Sequence, residues 1–600
     1  MSENAFGAES VRFNLSDIYS GLQDSQIEKD LQDIEILSKR FDNEFRGKLD
    51  AKLGDSIELL DKIQKLENKI GIYLMLLQAC DVSNQEIKKL ESKISERLSR
   101  ASADHMAFFN IELGKIESVQ FEKLLQADKR VEFHKPMLVN IREKAKHLLS
   151  EEVERALTLR QAYGPAELCE FFQERLSEAR FPLDGNDKPV SMETILNTIA
   201  DNPNREARLK AAESLNNGLK PEIVPLAVQT LNAVIGLKNI ENVERKYPSA
   251  MAARNQSNQV DEEVVRALHD AVSTKGAELA QRYYRLLGKK LKVDKLYWSD
   301  RNARIIHSDE TVLWDDGVKL VHEAFDSFSP TLADLFIKMV KAGHIDAPHY
   351  AGKTTGAFNI SGVMPEPLGA RTFTLLNYFG TPGDVQTLAH ESGHAVHGLL
   401  AGQAQGSLMQ SAPIAYCETA SIFAEMVTFN FLLKKITTPE QKLALLMEKS
   451  NDFFNTVVRQ ISFSEFEQRI HEERKGGKIS TEKFTQHWMA VTKHFYGADG
   501  DIFEYKNMDN LWSYVTHFTS PFYVYGYAFG EVLTQSLYAV KDKFGKDFEP
   551  LYLDLLRAGG TKDATSLVAP FGLNPNDPNF WIDGMKASVE KWIEEAESLS

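Results

Sequence analysis

Leu, Ile and Ala recur at intervals of three and four through most of the 600 residues, with Glu, Lys and Gln between them. That is the helical period, so the chain must bury helix faces against one another, and the expected fold is mainly α. Residues 27–49, 57–79 and 84–99 read as successive antiparallel helices, joined by polar links such as Asp81-Val82-Ser83-Asn84. A chain this long exceeds what one hydrophobic core organises, so at least two lobes are expected. The clearest early break is 180–189, which contains Phe181-Pro182 and Asp184-Gly185-Asn186-Asp187, and helical signal resumes at Met192. These features divide the chain into an amino-terminal helical lobe, 1–190, and a second region, 191–600.

Composition narrows the function classes. Hydrophobic residues at 43% and charged residues at 26% fit a globular protein with ample core. The net charge of -16 disfavours broad binding to nucleic acid or an anionic membrane surface. The most apolar early stretch, 70–80, is about half of what a bilayer crossing needs, and reads as a core helix. Met1 to Phe6 lacks a basic start and an apolar run, so export is not expected. Cys80, Cys169 and Cys417 are too few and too scattered for a disulfide framework, which fits a reducing cytoplasm.

Residues 347–367 are broken by Gly352, Gly356, Gly362, Pro365 and Pro367 and read as irregular, whereas 371–378 are aromatic and β-branched and read as a strand. Thr381-Pro382-Gly383-Asp384 then marks a helix start: a threonine cap, proline at the first helical position and an acid at the third.

The helix that follows contains His390-Glu391-Ser392-Gly393-His394. Four residues make slightly more than one turn, so both imidazoles leave nearly the same face and can chelate one cation, with zinc the expected guest. Glu391, beside them, can reach a water in the same cleft without being a ligand. A third protein ligand must come from elsewhere. Ten residues after His390 stands Leu400, which excludes the metzincin arrangement. His397 lies roughly 10 Å along the axis from His390, too far to share the ion easily, and suits a substrate-facing or packing role.

Glu418, Ser421, Ile422 and Glu425 form one stripe of a helix whose other residues, Phe423, Met426, Val427 and Phe429, are apolar. Acids on so buried a helix need a partner, which a metal or a nearby Arg or Lys can supply. Cys417 is a soft donor next door, but adjacent helical positions diverge by about 100°, so it and Glu418 do not readily face one ion.

These runs, from Thr387 to His397, from Glu418 to Glu425 and from His517 to Tyr527, together with Phe13 to Tyr19 near the start, resemble the M3 family of zinc metallopeptidases in its oligoendopeptidase F branch. The resemblance spans nearly the whole chain. It implies a mainly α, two-lobed gluzincin-type fold with a small β-sheet beside an active-site cleft, and makes 191–600 the catalytic zinc-peptidase region. It further implies one zinc per chain on His390, His394 and Glu418, with Glu391 as general base. His517, Tyr523 and Tyr527 are implied to approach the reacting carbonyl from across the cleft. Tyr523 and Tyr527 are four apart on an expected helix, which would let both phenols donate to an oxyanion, although this aromatic run also suits a core. Ser520 stands where some distant relatives have another tyrosine, and Asn359 where the branch commonly has cysteine.

The strand before the metal helix resembles the family's edge strand, against which an extended peptide pairs, with Gly356-Ala357-Phe358 on the same rim. Glu425 and Asp384 are candidates for orienting the imidazoles. The expected activity is endopeptidase cleavage of short unfolded peptides. Two competing readings are a dipeptide-releasing carboxypeptidase of the same superfamily and a noncatalytic helical peptide-binding protein.

Overall fold

The computed structural model describes residues 6–161, 164–305 and 311–599; Met1 to Ala5, which bear on the question of export, lie outside them. The expected mainly helical fold with little sheet is what the chain adopts. By packing it forms two units, one from Met1–Arg155, Asp309–Leu432 and Lys541–Phe571, the other from Ala156–Ser308, Leu433–Val540 and Gly572–Ser600. Both are discontinuous in sequence, so packing does not follow the linear division made at residue 190.

The first unit opens with helices Ser25–Phe45, Leu49–Cys80 and Gln85–His105. Side chains set the start of the first and third: the Asp24 carboxylate accepts the Gln26 N–H at 2.8 Å, and Asn84 caps the third helix through the N–H groups of Glu86 and Ile87. Their apolar faces enclose Leu31, Ile34, Phe41, Ile63, Ile70 and Leu76, and the same cluster extends to Met364 and Phe373 of the sheet and to Leu368 in the turn between its strands. The stretch 70–80 is therefore core helix, as its length requires.

That sheet has three strands. Gly369–Tyr378 is central, paired in parallel with Ile345–Pro348 and antiparallel with Phe358–Met364. This corrects two expectations. The region 347–367 is not simply irregular, because it contains a seven-residue strand. The strand read at 371–378 is also not an edge; the edges are Ile345–Pro348 and Phe358–Met364. Gly362 tolerates its place because Ile72 of the second helix packs so closely that a Cβ would lie 2.5 Å from that side chain. Asn68 of the same helix donates to the Val363 carbonyl at 3.0 Å, closing one end of the edge.

The second unit is built on buried aromatic clusters, including Tyr283, Tyr284, Phe454, Tyr496 and Phe503, and Phe466, Phe484, Trp488, Trp512 and Phe518. Among the described residues one helix, Ile223–Glu244, is long and apolar enough to cross a membrane by length and composition, and half of its most apolar stretch is buried in the fold.

Candidate active site

The histidine helix, Pro382–Gln405, begins where Thr381 predicts. Thr381 Oγ1 accepts the Asp384 N–H at 3.2 Å, and Asp384 Oδ2 accepts the N–H groups of Thr381 and Phe379 at 2.8 and 3.0 Å. Asp384 thus completes a capping box and fixes the helix entry; it does not orient an imidazole. Two turns on, the His390 and His394 rings lie with centres 5.0 Å apart.

The second helix of the site, Ile414–Lys435, approaches the first at Gly393. A Cβ there would stand 2.5 Å from the Ala420 carbonyl oxygen, so only glycine permits this separation. The close approach carries Glu418 into place. Its Oε2 lies 3.4 Å from His390 Nε2 and 3.2 Å from His394 Nε2, and the three donor atoms fall within 4.8 Å of one another. Ser421, one turn along, donates its hydroxyl to the same Oε2 at 2.8 Å.

Glu425 completes the stripe. Its Oε1 is 2.5 Å from His390 Nδ1, so that nitrogen carries the proton and Nε2 keeps its lone pair for the donor set. Of the two acids considered for this role, the structure uses Glu425. Electrostatics agree with the geometry. Burial opposes charge on both groups, yet the acids beside His390 raise its pKa well above the ordinary value, and His390 and His394 hold the Glu418 carboxyl far below its usual range. Three carboxylates around two imidazoles make a place built for positive charge.

Glu391 is only 6% exposed, and its Oε2 finds no hydrogen-bond partner among the described residues. Burial pushes its carboxyl upward against the pull of the two histidines. An unpartnered buried oxygen beside a set of nitrogen and oxygen donors is what a metalloenzyme base requires, so the residues fit a zinc ion: two imidazoles, one carboxylate and a free acid next to them.

The cavity around these groups measures about 490 Å³ and is walled by Ala357, Phe358, Asn359 and Ser361 of the edge strand region, by His397 and Gly398, and by Gln410, Ser411, Ala412 and Cys417. His397 is outside the donor set, and burial takes its pKa down to about 4. Cys417 is outside it too: its thiol points to the Ile414 carbonyl at 3.3 Å, and burial pushes it up to about 12. Asn359 ties the edge strand to the central one, with Nδ2 donating to Thr372 Oγ1, the Phe373 carbonyl and Thr374 Oγ1 at 2.8 to 3.0 Å. Ser361, Gln410 and Ser411 escaped the sequence reading. For Ser361 the available signal was Gly398, where a Cβ would meet the serine hydroxyl at 2.1 Å.

His517, Tyr523 and Tyr527 belong to the second unit, where they form a cluster of their own. Ring centres are 5.5 to 6.1 Å apart, and the Tyr527 hydroxyl is 3.3 Å from His517 Nε2. The helix begins only at Tyr525, so Tyr523 is not one helical turn from Tyr527 as expected; it stands in the turn before it, after Phe522 at φ +58°. The neighbours Phe518, Phe522, Val524 and Tyr525 are buried in the core, while Tyr523 and Tyr527 are partly exposed.

Comparison with known proteins agrees with this description. Residues 317–587 match peptidase family M3, and residues 112–181 match Oligopeptidase F. The Oligopeptidase PepF of Bacillus subtilis is 26% identical over 98% of this chain and 87% of its own length. The chromosomal Oligoendopeptidase F of Lactococcus lactis subsp. cremoris is 25% identical over 98% of this chain and 97% of its own. Among solved structures, a chain from Chlamydophila abortus superposes with a TM-score of 0.82 at 21% identity, covering 99% of this chain and 100% of that one. The oligoendopeptidase-F of Enterococcus faecium gives 0.70 at 20%, over 96% and 97%. A helical fold carrying a His-Glu-x-x-His helix and a distant glutamate defines a metallopeptidase class. The chain belongs to peptidase family M3, in its oligoendopeptidase F branch.

Proposed function

We propose that this peptidase, which cleaves internal bonds of oligopeptides, works through one zinc ion per chain held by His390, His394 and Glu418, with Glu391 as the general base. The observation that carries the reading is the unpartnered, buried Glu391 Oε2 beside a compact donor set. Bound zinc supplies Lewis acidity, which acidifies water and polarises a carbonyl oxygen. Glu391 takes the proton of the attacking water and returns it to the leaving amine. Glu425 holds His390 in the tautomer that keeps Nε2 available. Asn359 and its partners hold the edge strand Phe358–Met364 extended, and an extended peptide adds to it by main-chain pairing, which accepts almost any sequence. His517, Tyr523 and Tyr527 act as donors to the developing oxyanion, an effect typically worth about 3 to 4 kcal/mol for a single donor. Short unfolded peptides in the cytoplasm are the substrates of this reading.

The test compares zinc content and cleavage of an internally quenched peptide by the wild type and Glu391→Gln, with products mapped by mass. The reading expects zinc retained and turnover lost. Equal turnover in both proteins removes Glu391 from the mechanism, and products always shortened by two residues from the carboxyl end make the enzyme an exopeptidase instead.

A further inference from the structure

Glu467 lies on the helix Arg459–Lys475 and is 1% exposed. Its Oε1 accepts the Phe522 N–H at 2.8 Å, and its Oε2 has no partner among the described residues. An apolar side chain would fill this place without burying an unpaired oxygen. What it could not do is accept that N–H.

The backbone it holds is unusual. Phe522 is a non-glycine residue at φ +58°, a conformation that needs its surroundings to enforce it. The turn buries the Phe522 ring completely, 4.6 Å from the ring of His471, and leaves the next side chain, Tyr523, partly exposed beside His517 and Tyr527. The flanking residues are tied as well. Arg254 Nε donates to the Pro521 carbonyl at 3.3 Å, and its guanidinium lies 5.7 Å from the centre of the Tyr523 ring. The Tyr525 hydroxyl donates to Asn255 Oδ1 at 2.9 Å and accepts from Asn258 Nδ2 at 2.8 Å. Residues 521, 522 and 525 are thus each fastened, and Glu467 fastens the one whose backbone is strained.

We propose that Glu467 is a positioning residue for Tyr523: its buried carboxyl group fixes the left-handed turn at Phe522 and thereby sets the tyrosine within the His517, Tyr523 and Tyr527 cluster. The inference rests on the oxyanion-donor role given above to Tyr523. Burial pushes the Glu467 carboxyl up to about 8, against the pull of the Phe522 N–H and Arg254, so a neutral side chain of the same shape should serve equally.

Glu467→Gln keeps the acceptor, Glu467→Met removes it, and Glu467→Asp keeps the acid but falls short of the N–H. The full-length zinc-loaded enzyme is measured for kcat and KM, and 3-fluorotyrosine placed at 523 is followed by fluorine NMR. Glu467→Met and Glu467→Asp should lower kcat about tenfold with KM within twofold, and should shift or broaden the 523 signal. Glu467→Gln should stay within twofold of wild type on both measures. Combining Glu467→Met with Tyr523→Phe should lower kcat no further than Tyr523→Phe alone. An unmoved 523 signal in both Met and Asp variants overturns the proposal, as does a Gln variant that falls as far as Met. A moved signal with unchanged kcat in Glu467→Met and Tyr523→Phe alike leaves the turn assignment standing and rejects the donor role of Tyr523.

Discussion

Replacing Gly393 by alanine puts a methyl carbon 2.5 Å from the carbonyl oxygen of Ala420 and 2.7 Å from the Ser421 Cα. Ordinary contact begins near 3.4 Å, so the two helices must part by about 0.9 Å (3.4 less 2.5), and both obstructing atoms are backbone. Glu418 is two residues from Ala420 and rides on that helix. Metal–ligand distances tolerate only about 0.2 Å, so a shift of this size breaks the donor set rather than stretching it. Overpacking of this kind costs about 1 to 3 kcal/mol of stability. Even perturbing the partner of a ligand lowers metal affinity by about 10- to 100-fold, and displacing a ligand should exceed that. Zinc affinity by chelator competition, together with the thermal midpoint, measures both effects. Gly383→Ala on the same helix is the control, because the nearest atom to its Cβ is 3.6 Å away. Wild-type zinc affinity in Gly393→Ala, with Gly383→Ala also unchanged, would refute the claim that close helix approach places Glu418.

Glu425→Met should weaken zinc binding by about 10- to 100-fold, since it removes the carboxylate that accepts the His390 Nδ1–H; equilibrium competition with a chromogenic chelator reads this directly. Stripping the metal with a chelator should abolish peptide cleavage and lower the thermal midpoint, both restored by one equivalent of zinc. Glu467 sets a pH dependence of stability. Its folded pKa of about 8 stands above the ordinary 4.5, so the native state keeps a proton that the unfolded chain releases. The stability it contributes is therefore full below about 4.5 and is lost as pH rises toward 8. Unfolding midpoints from pH 5 to 9 should show Glu467→Gln gaining on the wild type as pH rises.

The pairing of His390 with His394, and the presence of Glu418 and Glu425 on one apolar stripe, were legible in the sequence because their logic is local. A histidine pair four apart needs only helix geometry, and two acids on an otherwise apolar stripe have few reasons to be there. Which distant acid does which task was not legible: Asp384 and Glu425 are equivalent as residue types, and only the fold shows one capping a helix and the other holding His390. The edge strand Phe358–Met364 was hidden by Gly356, Gly362 and Pro365, residues that normally break structure. Gly362 is there because Ile72, almost 300 positions earlier, needs the room. Tyr523 was misplaced for a similar reason, since nothing in the local sequence announces a left-handed phenylalanine held by Glu467. The packing units, each assembled from separated segments, lie beyond any reading of composition along the chain.

The most direct test is an anomalous difference map from crystals of the zinc-loaded protein, collected on both sides of the zinc absorption edge. The account predicts a single peak per chain, about 2.0 to 2.2 Å from His390 Nε2, His394 Nε2 and a Glu418 oxygen. A stoichiometric ion found on other residues, or none within reach of Glu418, would contradict it.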